Sequence, residues 1–249
     1  SWSSSLTLSL MNQKITRLRN TPNALDMVAG RGRGNLVGYP KGSLFSYNFQ
    51  GLNSHGLPTF DFGLYPTNHG EDANVYSADF SDTQYTKGYL TYHGPIEPQV
   101  IGGLSNTLRY GLWDLTLFIT AQVGNKIRLN PTFDPTFADL NVFSGEYRNR
   151  WMNPGDEQHT DVPTIPSQDL INAVGRENIE RAYSTYNYSQ LRVADGSFVR
   201  LKHISLGYRV SEAFAKKLRL QSAKLQLSLT NPFLIYSDKR LRGQDPEYY

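Results

Sequence analysis

Leu104–Val123 reads LSNTLRYGLWDLTLFITAQV, and the alternation inside it decides the fold. In its first half Leu104, Asn106, Leu108 and Tyr110 share one face, with Ser105, Thr107 and Arg109 on the other. In its second half Trp113, Leu115, Leu117, Ile119, Ala121 and Val123 share a face, opposite Asp114, Thr116, Phe118, Thr120 and Gln122. A two-residue turn at Gly111-Leu112 predicts the pairs Tyr110 with Trp113, Leu108 with Leu115 and Asn106 with Leu117. That register puts the apolar residues of both strands on the same side, because a side chain's face is set by its parity. The other side is polar but for Phe118. One apolar side, one polar side and aromatics at the turn end is the pattern of a membrane β-barrel hairpin.

Composition permits this reading. The 249 residues suffice for one large domain or two small ones. Mean hydropathy is only −0.48, but alternating strands dilute an apolar face to about half the residues. No run of some 18 apolar residues exists, so the sequence holds no ordinary transmembrane helix. Cysteine is absent, which removes disulfides and thiolate metal sites. A net charge of +3 is too mild to point to nucleic acid. The opening SWSSSLTLSL lacks the basic leader and uninterrupted apolar core of a signal peptide. It reads as a strand, with Trp2, Leu6, Leu8 and Leu10 on one side and Ser3, Ser5, Thr7 and Ser9 on the other. A chain that starts inside a strand and ends in GQDPEYY without a closing one reads as a segment of a longer protein.

Strands are expected near 2–10, 44–50, 98–110, 113–123, 197–210 and 222–230, the first running on through Ile15 and Leu18. Residues 23–43, with GRGRG, read as a connection; 51–95 and 124–196 read as long polar, aromatic loops. Structureless loops of that length are unusual in compact soluble domains and ordinary on the outer face of bacterial barrels. Within the second, 167–173 and 177–182 read as short helices with Ser167 as N-cap; 211–218 reads as one or two helical turns capped by Ser211. In 223–231, Ala223, Leu225, Leu227 and Leu229 alternate with Lys224, Gln226, Ser228 and Thr230. Lys224 facing lipid at mid-depth would cost roughly 2–4 kcal/mol, so its parity belongs to the polar side. The 197–210 strand conflicts with itself: Phe198, Ile204, Leu206, Tyr208 and Val210 share parity with Arg200 and Lys202. Either a bulge or charges placed at the membrane boundary resolves the conflict.

Six motifs carry a resemblance. MNQKITRL (11–18), GYPKGSLFSYNFQGLNSHGLPTF (38–60), GPIEPQVIGGLSNTLRYGLWDLTLFITAQVGNKI (94–127), RWMNPGDEQHTDVP (150–163), VADGSFVRLKHISLGYRV (193–210) and NPFLIYSDKRLRGQDPE (231–247) follow in order. They resemble successive segments in the C-terminal part of SusC/RagA-type TonB-dependent outer-membrane transporters of Bacteroidota. Each alone is weak; six in the family's order over nearly the whole chain are specific. The resemblance implies an all-β fold: the C-terminal segment of an antiparallel transmembrane β-barrel of about 22 strands with long extracellular loops. The plug, the TonB box and the final strand of such a barrel are not in this sequence. The implied function is import of oligosaccharides or peptides across the bacterial outer membrane. A SusD-like surface lipoprotein acts as lid, and TonB–ExbB–ExbD supplies energy through the absent N-terminal region.

On this reading Leu108, Tyr110, Trp113, Leu115, Leu117, Ile119, Leu225, Leu227 and Leu229 face lipid. Arg109, Asp114, Thr116, Thr120, Gln122 and Gln226 face the lumen. Tyr110 and Trp113 form part of an interface girdle. Tyr147, Trp151, Tyr183 and Tyr186, with Tyr188, lie in the second loop; their rings can stack on cargo or a lid protein, or pack the loop on itself. No catalytic or cofactor site is expected. The five histidines show no His-x-x-x-His spacing, which argues against a metal. Gly30–Gly34 lacks the Lys-Ser/Thr of a phosphate loop and reads as a flexible connection. Asp156-Glu157 are adjacent acids in a turn, where a glycosidase needs two opposed carboxylates. The rival class is a secreted all-β carbohydrate-binding or hydrolytic domain, whose apolar face would be covered by a second sheet. A third reading is a surface barrel that docks a partner without transporting.

Overall fold

A computed structural model describes residues 1–29, 34–62, 75–76, 78–83, 86–134 and 145–247. In chain order its elements are β1 (Trp2–Leu10), α1 (Ala24–Ala29), β2 (Ser43–Leu52), β3 (Pro58–Asp61), α2 (Thr86–Tyr89), β4 (Leu90–Pro95), β5 (Val100–Tyr110), β6 (Trp113–Val123), β7 (Lys126–Arg128), α3 (Gln168–Val174), α4 (Arg176–Asn187), β8 (Val193–Asp195), β9 (Phe198–Arg209), α5 (Glu212–Lys217) and β10 (Lys224–Ser237), with short 3₁₀ turns between. The chain divides into two compact units, Ser1–Asn12 with Glu97–Asn125 and Asp195–Tyr249, and Gln13–Ile96 with Lys126–Ala194.

The first unit is an antiparallel five-stranded sheet in the order β1-β5-β6-β9-β10. The β5–β6 hairpin has the register that alternation predicts: Tyr110 opposite Trp113, Leu108 opposite Leu115, Asn106 opposite Leu117. Of the two turn residues, Gly111 alone takes a positive φ, 58°. That is the II′ pattern, with glycine first, whose twist matches the flanking strands. β1 ends at Leu10 rather than continuing through Ile15 and Leu18; beyond it the Met11 N–H still donates to Gln99 O at 2.8 Å.

The parity conflict in β9 is resolved by a bulge. Phe118 pairs with His203 and Ile119 with Leu201, so Lys202 is an extra residue on β9. Below the bulge, Ile204, Leu206 and Tyr208 match Leu117, Leu115 and Trp113. Above it, Leu201 and Val199 match Ile119 and Ala121, while Arg200 matches Thr120. One inserted residue therefore turns Arg200 to the polar side and Val199 to the apolar one. β10 stays in step by its own irregularity at Asn231-Pro232, between the pairs Thr230–His203 and Phe233–Leu201. Asn231 has a φ of 52°, and Pro232 lacks the N–H that a regular ladder needs.

The second unit corrects the reading of long structureless loops. β2 pairs with β3 and β4 in a sheet of its own, and β7 pairs with β8. Around them Met27, Phe45, Tyr47, Phe60, Phe62, Phe80, Tyr89, Phe133 and Ile179 belong to one buried cluster. Helix α4 presents Ile179, Ala182, Tyr183 and Tyr186 to that cluster, spaced i, i+3, i+4, i+7, a single helical stripe. Ser167 caps α3 as expected, its Oγ accepting from the Leu170 N–H at 3.2 Å. The segments fold because their aromatics are numerous enough to bury one another, which a count of polar residues and turn signals hides. Of GRGRG, residues 30–33 lie outside the described residues.

Candidate functional site: the two faces of the sheet

The apolar face of the first unit joins all five strands. Trp2, Leu6, Leu8 and Leu10 of β1 register with Leu108, Leu104, Gly102 and Val100 of β5. The face continues through β6 and β9 to Leu225, Leu227 and Leu229 of β10, opposite Tyr208, Leu206 and Ile204. It is open: Leu6 is 73% exposed, Leu227 66% and Leu108 49%. Central residues Leu115, Leu117 and Ile119 are half-buried by their neighbours in the sheet. At the Gly111-Leu112 end stand Trp2, Tyr110, Trp113 and Tyr208, with the Trp113 and Tyr208 rings 4.7 Å apart. β5 and β6 are 11 residues each. At about 3.3 Å per residue and a tilt near 40°, such strands rise about 25 Å, the height of an outer-membrane apolar band.

The polar face is cross-linked across strands. Lys224 Nζ meets Asp114 Oδ2 at 3.1 Å, although β9 lies between their strands. Gly207 makes this possible: a Cβ there would sit 2.5 Å from that carboxylate and 2.6 Å from the Lys224 stem. Gln226 and Ser228 both donate to Ser205 Oγ. Phe118, the exception on this side, lies over Gly103, whose missing Cβ would be 3.3 Å from the ring. Near the bulge, Arg200 pairs with Asp245 at 2.5 Å and with Glu247 at 3.0 Å. Lys202 meets Glu247 at 2.6 Å. Sequence reasoning missed this cluster; its signal was the pair of cations at the wrong parity together with the Asp-Pro-Glu segment downstream. Arg109, Thr116, Thr120, Gln122 and Gln226 are all at polar-face register positions.

The aromatic residues of the second unit separate into two groups. Tyr147, Tyr183 and Tyr186 are buried around Phe133, with ring centroids 4.9, 4.7 and 5.5 Å from it. Burial pushes all three phenols above their ordinary range. The Tyr183 hydroxyl donates to Thr164 O at 2.5 Å. These three pack the unit on itself, the second of the two roles open to them in the sequence. Trp151 is half-buried; its ring fills the space above Gly56 and its Nε1 donates to Glu157 at 2.8 Å. Tyr188 lies under the Arg128 guanidinium at 5.1 Å. Asp156 accepts from the Met152 and Asn153 N–H groups, so the adjacent acids stiffen a turn. Among the described residues no cluster of three or more metal-ligating side chains occurs.

Comparison with known proteins agrees with the motif resemblance. No model of a protein family matches the chain. A curated relative, TonB-dependent receptor P3 of Formosa agariphila, is 27% identical over 99% of this chain and 23% of its own length. Two solved structures match 99% of the chain and 24% of their own: the RagAB peptide transporter (19% identity, TM-score 0.58) and the RagAB peptide importer in its closed-closed state (20%, 0.63). The chain thus spans about a quarter of the length of its relatives. The chain is similar in sequence to a TonB-dependent receptor, and its antiparallel sheet has the fold found in part of the RagAB structures.

Proposed function

We propose that this chain is part of the barrel wall of an outer-membrane TonB-dependent importer. The cargo is an oligosaccharide or peptide, taken up with a SusD-like surface lipoprotein. The observation that carries the reading is the five-strand apolar face: continuous, exposed, about 25 Å tall and edged by aromatics. A water-soluble sandwich would have to cover Leu6, Leu8, Leu225 and Leu227, each more than half exposed in this chain, with other parts of the protein. Likeness to a TonB-dependent receptor supports the energy source, TonB–ExbB–ExbD acting on other parts of the protein. Likeness to RagAB, a peptide transporter, supports a transported cargo.

The mechanism is binding and gated passage, with no covalent chemistry. Apolar side chains hold the wall in hydrocarbon. Arg109, Asp114, Thr116, Thr120, Gln122 and Gln226 line the lumen or seat the plug, and the second unit forms part of the outer capture region. Trp151 remains the candidate contact for cargo or lid. The test is a pair of substitutions in the intact protein. Leu117→Arg, near the middle of β6, places a cation in hydrocarbon at a cost of roughly 2–4 kcal/mol and blocks assembly. Thr116→Arg, one residue away on the other face, leaves assembly near wild type. Protease-resistant protein in the outer-membrane fraction measures both, and equal outcomes would overturn the lipid-facing assignment. Uptake surviving deletion of the full-length gene would leave a docking barrel in place of an importer.

A further inference from the structure

The link between β9 and β10 holds a feature that barrel closure does not require. It begins where the Arg209 N–H donates to Leu112 O at 2.7 Å, beside the Gly111-Leu112 turn, and the Val210 N–H to Ala223 O bond closes its neck. It therefore lies at the same end of the sheet as Trp2, Tyr110, Trp113 and Tyr208. Within it, α5 buries only Ala215. Phe214 and Leu218, one helical turn apart on one face, are 54% and 55% exposed, and Leu220 is 46% exposed. Lys216, Lys217 and Arg219 interleave with them, and among the described residues none of the three makes an ion pair. Glu212 is the only acid between Val210 and Ala223.

The end of α5 is informative. The Leu220 N–H donates to Ala215 O and the Arg219 N–H to Lys216 O, the paired bonds of a Schellman cap. Arg219 occupies the left-handed position of that cap, at φ 60°. Glycine is the relaxed residue there, and a long side chain is strained. A cation is thus held in a conformation that the backbone alone would assign to glycine.

We propose that this link lies on the anionic phospholipid headgroups bordering the apolar face. Phe214, Leu218 and Leu220 enter the interface, and Lys216, Lys217 and Arg219 meet the phosphates. Charge complementarity argues for that occupant, because a basic segment is attracted to an anionic leaflet. Continuity with the aromatic row argues for it too: Leu112 and Trp113, at the neighbouring turn, are exposed beside the link. The inference rests on the membrane-barrel reading.

The chain has no cysteine of its own, so once any cysteine elsewhere in the full-length protein is replaced by serine, a label at an introduced one reports a single place. Leu218→Cys in the full-length protein would carry an environment-sensitive fluorophore in vesicles of phosphatidylethanolamine and phosphatidylglycerol. A doxyl lipid quencher placed near the headgroup should cut emission by roughly two-fold. The loss should shrink in vesicles of phosphatidylcholine alone and in the Lys216→Gln/Lys217→Gln background. Leu117→Cys, quenched by a doxyl group near the acyl-chain end, is the control. Quenching at 117 without quenching at 218 overturns this inference and leaves the barrel standing, whether emission at 218 is that of water or of a protein-covered site. Absence of quenching at 117 overturns the barrel reading itself.

Discussion

At the residue scale, the polar face depends on what glycine omits. The Asp114–Lys224 pair crosses an intervening strand only because Gly207 has no side chain. Gly207→Ala should separate the two charges and destabilise the protein by about 1 kcal/mol, the upper end for a partly exposed pair. Urea unfolding of the reconstituted protein measures it. The cost should fall when Asp114→Asn and Lys224→Gln are already present, because the added methyl then displaces no ion pair. A second residue-scale prediction concerns the turn at Trp151. The Asn153 and Met152 N–H groups hold Asp156 below its ordinary 3.8. The Trp151 indole N–H, then the backbone N–H groups of Glu157 and Gly155, hold Glu157 below 4.5. Both folded-state values are depressed, so the turn's stabilisation is present above those ordinary values and is lost as pH falls through the folded ones. The protection factors of the Met152 and Asn153 amides, each rate taken relative to its intrinsic rate at the same pH, should hold at neutral pH and fall only in acid. Glu157→Gln should flatten its share of that dependence.

At the element scale, the contrast between β6 and β9 shows what a sequence makes legible. β6 keeps one parity through all 11 residues, and Gly111-Leu112 fixes its partner, so strand, register and face follow from the residues alone. β9 changes parity at Lys202, and nothing local in the sequence says which residue is the extra one; pairing with β6 decides it. Deleting Lys202 should therefore turn Arg200 and Phe198 to the apolar side. That costs roughly 2–4 kcal/mol for an arginine at depth, less toward the band's edge, and breaks the ion pairs to Asp245 and Glu247. Outer-membrane assembly should drop sharply, while Lys202→Ala, which keeps the count, should assemble. Helix α4 shows the other limit. Its stripe of Ile179, Ala182, Tyr183 and Tyr186 was present in the sequence, but tyrosines among polar neighbours suggest a contact surface as readily as a core. Tyr183→Phe distinguishes the two. It removes only the hydroxyl bond to Thr164 O, so it should cost about 1 kcal/mol in stability and leave cargo affinity unchanged.

At the scale of the whole molecule, the solvent touching the apolar face is the central question, and depth answers it. In a water-soluble protein the cost of an arginine on that face follows local packing, so exposed positions tolerate it. In a bilayer the cost follows height: roughly 2–4 kcal/mol at mid-plane, falling to about 0–1 kcal/mol at the interfaces. The two accounts predict opposite orders for chosen pairs. Leu227 lies part-way along β10 and is 66% exposed; Trp113 begins β6 and is less so, at 49%. Packing alone makes Leu227→Arg the milder change. Hydrocarbon makes it the more damaging one, with Trp113→Arg better tolerated at the headgroup boundary. Leu6→Arg and Tyr110→Arg extend the series to β1 and β5: at 73% and 82% exposure packing makes both mild, whereas hydrocarbon makes Leu6→Arg alone costly. Urea unfolding from vesicles should give a single curve of cost against height shared by all strands, with arginines at Thr116 and Gln226 falling below it. A scatter that tracked burial and ignored height would remove the membrane from the account.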